Sequence, residues 1–144
     1  MTLLIETSRF GRIEIPEERV FIFPKGLIGF EHLKRYTLLD STKGASVQWL
    51  QSLDDPAVAF LVAEPRTYLP SFDLRIPADF SQGPMGGMDL KRSEIRTILH
   101  VDRETRSLHI HVQAPLLFDA ASGKGVQVIT DSQEPTVAIS LKSP

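Results

Sequence analysis

Apolar residues along this chain come in short runs, and turn-forming residues separate them. Residues 20–23, 58–62, 95–101, 108–112, 126–130 and 137–141 are four to seven residues long and rich in β-branched or aromatic side chains. Between them stand Asp40-Ser41-Thr42-Lys43-Gly44, Asp54-Asp55-Pro56 and Ser122-Gly123-Lys124-Gly125. These residue types favour tight turns through local side-chain hydrogen bonds, a fixed φ or an unrestricted one. Leu108-His109-Ile110-His111-Val112 alternates strictly, as a half-buried strand does, and Val137-Ala138-Ile139-Ser140-Leu141 alternates more weakly. Residues 102–107 separate two such runs and read as a hairpin loop. Helical periodicity is scarce: a single turn is expected over residues 31–34, and Ser93-Glu94 would cap another before Ile95. Residues 79–88, which hold Gly83-Pro84 and Gly86-Gly87, read as the most mobile loop. The pattern predicts an all-β fold with minimal helix, a barrel-like antiparallel sheet in a single domain spanning residues 1–144.

Composition narrows the function more than the fold. The 144 residues are 42% hydrophobic and 24% charged, as in a globular chain. Sixteen Lys and Arg stand against eighteen Asp and Glu, a formal charge of -2. A general nucleic-acid binder needs a basic surface to displace counterions, so that class is disfavoured. With no cysteine, disulfide scaffolds, zinc ribbons and thiol chemistry are excluded. Leu3-Leu4-Ile5 before Glu6 is too short for a signal-peptide core, and no run approaches the ~20 apolar residues of a membrane span. A cytoplasmic location is expected.

His109 and His111 share a strand face, and His100 falls opposite His109 if the hairpin closes over residues 102–107. Three imidazoles can hold a zinc, but no carboxylate lies on the same face, and a solvated polar face is the preferred reading. Asp54-Asp55 and Glu17-Glu18 diverge in extended chain and do not make an acid–base pair. Gly-x-Ser-x-Gly is absent, and Gly123-Lys124-Gly125 lacks the rest of a phosphate-binding loop. Arg9-Phe10-Gly11-Arg12 mixes basic and aromatic residues as an RNA-stacking surface does. It reads better as a strand–turn–strand corner, with Phe10 in the core and Gly11 at the bend. No catalytic residue, metal or cofactor is expected, and the chain is read as a non-enzyme.

Longer motifs are more specific. They are Thr7-Ser8-Arg9-Phe10-Gly11-Arg12-Ile13-Glu14-Ile15, Phe23-Pro24-Lys25-Gly26-Leu27-Ile28-Gly29-Phe30-Glu31, Tyr36-Thr37-Leu38-Leu39-Asp40 and Trp49-Leu50-Gln51-Ser52-Leu53-Asp54-Asp55-Pro56, then Ala59-Phe60. Together these resemble the FliW family, the flagellar assembly factors of bacteria. Ala114-Pro115 and Gly125-Val126-Gln127-Val128-Ile129 resemble later features of that family. The chain departs from it at His111-Val112-Gln113, where the family commonly has Asn-Leu before Ala-Pro, and at Asp119, where an Asn is usual. The resemblance implies a β-barrel-like domain without enzymatic activity. It implies two protein partners: CsrA, a dimeric RNA-binding repressor whose block on flagellin mRNA is relieved, and flagellin, bound in a chaperone-like partner switch. An RNA- or carbohydrate-binding barrel is the alternative from another class, and a small histidine-metal enzyme a third.

A basic repressor would meet carboxylates near an apolar anchor. Two segments combine those elements: Leu27, Phe30 and Glu31 in one loop, and Gln51, Asp54 and Asp55 in another, with Glu17 and Glu18 adding charge from a neighbouring turn. Phe23 and Phe30 are expected in the core, Gly26 and Gly29 at positive φ. Trp49 and Leu53 are also expected in the core, leaving Gln51, Asp54 and Asp55 exposed around them.

Overall fold

The computed structural model describes residues 1–40, 47–70, 72–73 and 92–130, and the backbone of Val137–Ser140. Among these residues the strands are β1 (Thr2–Thr7), β2 (Gly11–Pro16), β3 (Val20–Ile22), β4 (Arg35–Asp40), β5 (Gln48–Ser52), β6 (Ala59–Ala63), β7 (Glu94–Asp102), β8 (Ser107–Ile110), β9 (Leu116–Asp119), β10 (Lys124–Gln127) and β11 (Val137–Ser140). The all-β, barrel-like expectation holds. Seven strands close on themselves in the order β7-β6-β5-β4-β3-β10-β9, with β9 pairing back onto β7.

Closure depends on the length of β7. Its first residues pair with β9 (Ile95 opposite Leu117), its middle with β6 (Val62 opposite Ile98), and its end with β8 (Leu99 opposite Ile110). One strand thus shuts the barrel and then leaves it to carry β8 and β11 as an extension. The hairpin expected over residues 102–107 forms, with Asp102 opposite Ser107 and the Asp102 carboxylate accepting from the Glu104 and Thr105 amides. The expected mobile loop, residues 79–88, and most of the turn at 40–44 lie outside the described residues.

The barrel interior is aromatic. Phe23 meets Tyr36 and Phe118 edge-on, with ring centroids 5.4 and 5.5 Å apart, and Phe21 meets Phe118 at 5.0 Å. Such T-shaped contacts add stabilisation beyond area burial. Gly125 on β10 makes the Phe23 position possible, because a Cβ there would enter the phenyl ring. A second apolar cluster, Ala63, Leu99, Leu108, Ile110 and Val112, sits under the extension.

The β1–β2 hairpin is a separate two-stranded sheet laid against the barrel wall. Ile5 and Ile15 are buried while Leu4 and Glu14 face out. The Ser8 amide donates to the Pro56 carbonyl at 2.9 Å, and the Phe10 ring meets Trp49 at 6.4 Å. The helical expectations were misplaced. Residues 31–32 form a non-helical turn, Glu94 begins β7, and among the described residues the short helices are a 3-10 turn at Glu17–Arg19 and α1 at Pro65–Tyr68. At α1, Pro65 fills the first helical position and the Glu64 carboxylate accepts from the Arg66 amide at 2.8 Å.

Candidate functional site

The loop between β3 and β4 closes one end of the barrel. Phe23 enters the core, and the chain doubles back at Gly26, whose φ is +65°. There a Cβ would lie 2.7 Å from the Glu31 Cα and the Phe30 carbonyl oxygen, so only glycine fits. Leu27, buried, points inward under this crossing. The Phe30 amide then donates to the Leu27 carbonyl at 2.7 Å, and Gly29 has φ +87°. A four-residue turn with a glycine at positive φ in its third position has the type II signature. Its second residue, Ile28, is therefore thrown outward and is 62% exposed.

Polar contacts hold this tip in place. The Ile28 amide donates to the Gln127 Oε1 at 2.8 Å, and the Gln127 Nε2 donates to the Ala114 carbonyl at 3.3 Å. The Gly29 amide donates to the Glu31 carboxylate at 3.0 Å, and this bond holds the Glu31 carboxyl below its usual range. Ile129, 48% exposed, follows two residues after Gln127, just beyond the end of β10. The result is an exposed aliphatic tip on a fixed backbone, beside an ionised carboxylate.

The second expected segment behaves differently. Gln51 is fully buried, not exposed, because the β1–β2 hairpin covers the outer wall on which it stands. Its Nε2 donates to the carbonyls of Ser52, Pro56 and Val58, pinning the loop from inside. Asp54 Oδ2 accepts from the amides of Lys34 and Arg35 at 2.8 and 3.0 Å, and Oδ1 accepts from Arg35 Nε at 2.8 Å. Partial burial pulls the Asp54 carboxyl upward, but the two amides and the guanidinium outweigh it, so the net direction is down. Asp55, half-buried, accepts from the Ala57 amide. Asp54 and Asp55 thus serve the turn, and Asp54 staples it to the start of β4.

The two loops adjoin. Asp54 reaches Lys34 and Arg35, and Phe30, half-buried rather than core, packs its ring against Phe60 at 5.1 Å. Trp49 and Leu53 are likewise half-buried. Glu17 and Glu18 do not join this end. They precede Val20, which pairs with Thr37, whereas Ile22 pairs with Arg35 beside Asp54. Glu18 instead lines a cavity with Arg19, Phe21 and Glu94. The expected charge from a neighbouring turn is at the other end of β3.

The histidines fall where strand parity put them, with His100 opposite His109 and ring centroids 6.2 Å apart. Burial, and then the nearby His100 and His109, push the His111 pKa below its ordinary value. Among the described residues, no group of three or more His, Asp or Glu side chains is placed to hold a metal. Sequence reasoning missed Ile28 and Gln127 as surface residues. The signal was present in the two glycines that frame Leu27-Ile28, since the position of the second decides which aliphatic points out.

A profile described as FliW protein matches residues 4–141. The flagellar assembly factor FliW of Lachnospira eligens is 33% identical over 135 residues, covering 90% of this chain and 88% of its own. The protein of the same name from Caldanaerobacter subterraneus subsp. tengcongensis is 29% identical over 131 residues, covering 90% and 87%. A crystal structure of the flagellar assembly factor FliW superposes with a TM-score of 0.82 at 25% identity, covering 99% of each chain.

Proposed function

The chain belongs to the FliW family of flagellar assembly factors, and from that premise we propose that it works by protein binding, without catalysis, in the cytoplasm. It holds the repressor CsrA, so that CsrA releases flagellin mRNA, and it exchanges CsrA for flagellin as flagellin accumulates. A switch of this kind needs only differential affinity for two partners.

The observation that supports this reading most directly is the tip at Ile28. An aliphatic side chain on a backbone fixed by Gln127 and Glu31 loses little entropy on docking, which favours affinity. The Glu31 carboxylate beside it suits the rim of an interface with a basic partner. Of the residues singled out from sequence, Phe30 and Glu31 belong to this surface with Ile28. Leu27, Gln51 and Asp54 shape it from within, and Glu17 and Glu18 form a separate acidic face.

Calorimetric titration of the purified chain tests the proposal. Saturable heat is expected with CsrA and with flagellin, with CsrA displaced by added flagellin, and none with RNA. Heat with RNA and none with either protein would contradict it.

A further inference from the structure

A second surface has opposite chemistry. Arg9, at the β1–β2 turn, lays its guanidinium over the Trp49 ring, with Cζ 4.0 Å from the ring centroid. Phe10 braces the same indole edge-on. Among the described residues, Arg9 makes no hydrogen bond or ion pair, whereas neighbouring Arg12 is paired with Glu6 at 2.9 Å and Arg35 with Asp54 at 2.8 Å. A guanidinium held over an aromatic face by its cationic charge keeps N–H groups available to a partner.

Beside Arg9 lies a cavity of about 360 Å³ lined by Ser8, Arg9, Gln51, Pro56, Ala57 and Ala59. Arg9 is the only formal charge among those lining residues. Gln51 is wholly buried, its Nε2 is used three times, and among the described residues its Oε1 has no hydrogen-bond partner. A buried acceptor left unpaired carries a desolvation cost that an incoming donor removes.

We propose that this cavity receives an acidic segment of a protein partner. A carboxylate from that segment pairs with the Arg9 guanidinium, and an N–H of the same segment satisfies Gln51 Oε1. The pairing asks for an acceptor and a donor on one ligand. An aspartate or glutamate in an extended peptide supplies both, whereas a phosphate supplies acceptors only. The formal charge of -2 also argues against a polyanion held by one arginine. The partner is thus of opposite charge character to one that docks beside Glu31.

Trp49 is the single tryptophan of the chain, and it lies directly under the Arg9 guanidinium. The probe is a short, N-acetylated and C-amidated peptide rich in Asp and Glu, titrated into the full chain while tryptophan emission is followed. Its Asn/Gln counterpart and an oligouridine RNA are titrated in parallel. A saturable change is expected with the acidic peptide alone. Arg9→Gln should weaken it at least about tenfold, and Arg9→Lys should fall between, since a bidentate charged pair is lost only in part. Arg12→Gln should leave it unchanged. Both sites are exposed, and a thermal melt confirms folding. No response to the acidic peptide, a response to RNA in its place, or an undiminished response in Arg9→Gln would overturn the assignment.

Discussion

The loop from Phe23 to Leu33 and the loop from Ser52 to Val58 contain the same ingredients: aliphatic residues, carboxylates, and glycine or proline. They use them in opposite ways. In the first, the polar contacts hold backbone, and the freed position displays Ile28. In the second, the carboxylates are consumed by amides of the protein itself, Asp54 by Lys34 and Arg35, and Asp55 by Ala57. Neighbouring loops of similar composition thus divide into one that presents and one that fastens. What separates them is what the internal hydrogen bonds leave in solvent: an aliphatic side chain, Ile28, in the first loop, and no large apolar side chain in the second.

Breaking the presenting loop should have the largest effect. Gly26→Ala forces a Cβ into the Phe30–Glu31 backbone at a positive φ. Destabilisation of roughly 3 kcal/mol or more is expected by denaturant titration. A loss under about 1 kcal/mol would mean that the crossing gives way more easily than this packing allows.

In the fastening loop, Asp54→Ala should cost about 2 kcal/mol, because two amides and a guanidinium lose a charged acceptor. Reversing Asp54 to Lys would therefore damage the fold rather than report on an interface. The pH dependence sharpens this. The folded Asp54 pKa is depressed, so its contribution is full above the unfolded carboxylate value of about 3.9 and is lost as pH falls through the folded one. The acid limb of the stability curve should be shallower in Asp54→Ala; an identical limb would deny the staple.

Tyr36 lies beneath both loops with its hydroxyl buried and, among the described residues, without a hydrogen-bond partner, and burial, then the Asp54 charge, pushes its pKa up to about 12. Tyr36→Phe should be neutral or stabilising by up to about 1 kcal/mol, since no bond is lost. A clear loss in a thermal melt would reveal a partner for that hydroxyl.

The smallest effect is expected far from both loops. His111 has a lowered pKa in the folded chain, so the unfolded chain binds its proton first as pH falls through about 6.5. Stability should dip slightly there and level off once folded His111 is also protonated. His111→Gln should remove the dip, and a dip that survives the substitution would assign it elsewhere.

How much of this was legible in the sequence depends on how many faces of an element are covered. The strand at 107–110 has one wet face, and its alternation was readable down to the opposition of His100 and His109. Gln51 was misread because β5 is covered on both walls, by the core and by the β1–β2 hairpin, so its polar residue carries no outward signal. The β1–β2 corner was legible as strand–turn–strand at Arg9-Phe10-Gly11-Arg12, but its docking on the outer wall of β5 was not, because that wall is distant in sequence. The turn chemistry at Gly26 and Gly29 was legible, but which of Leu27 and Ile28 faces out required the register of the turn. The chain fold behind the motifs was clear; the division of labour between the two loops was not.

The contrast between them can be put to one measurement, the affinity for CsrA of the wild type, Ile28→Asp and Ala57→Ser by calorimetry. Ile28 is exposed, so each variant should fold as the wild type does. Ile28→Asp is expected to weaken CsrA binding by about 2 kcal/mol, roughly thirtyfold, as loss of an apolar anchor does. Ala57→Ser, in the fastening loop and outside the Ile28 tip, should leave CsrA binding unchanged. Unaltered binding in a folded Ile28→Asp variant would contradict the account, and so would a loss confined to Ala57→Ser.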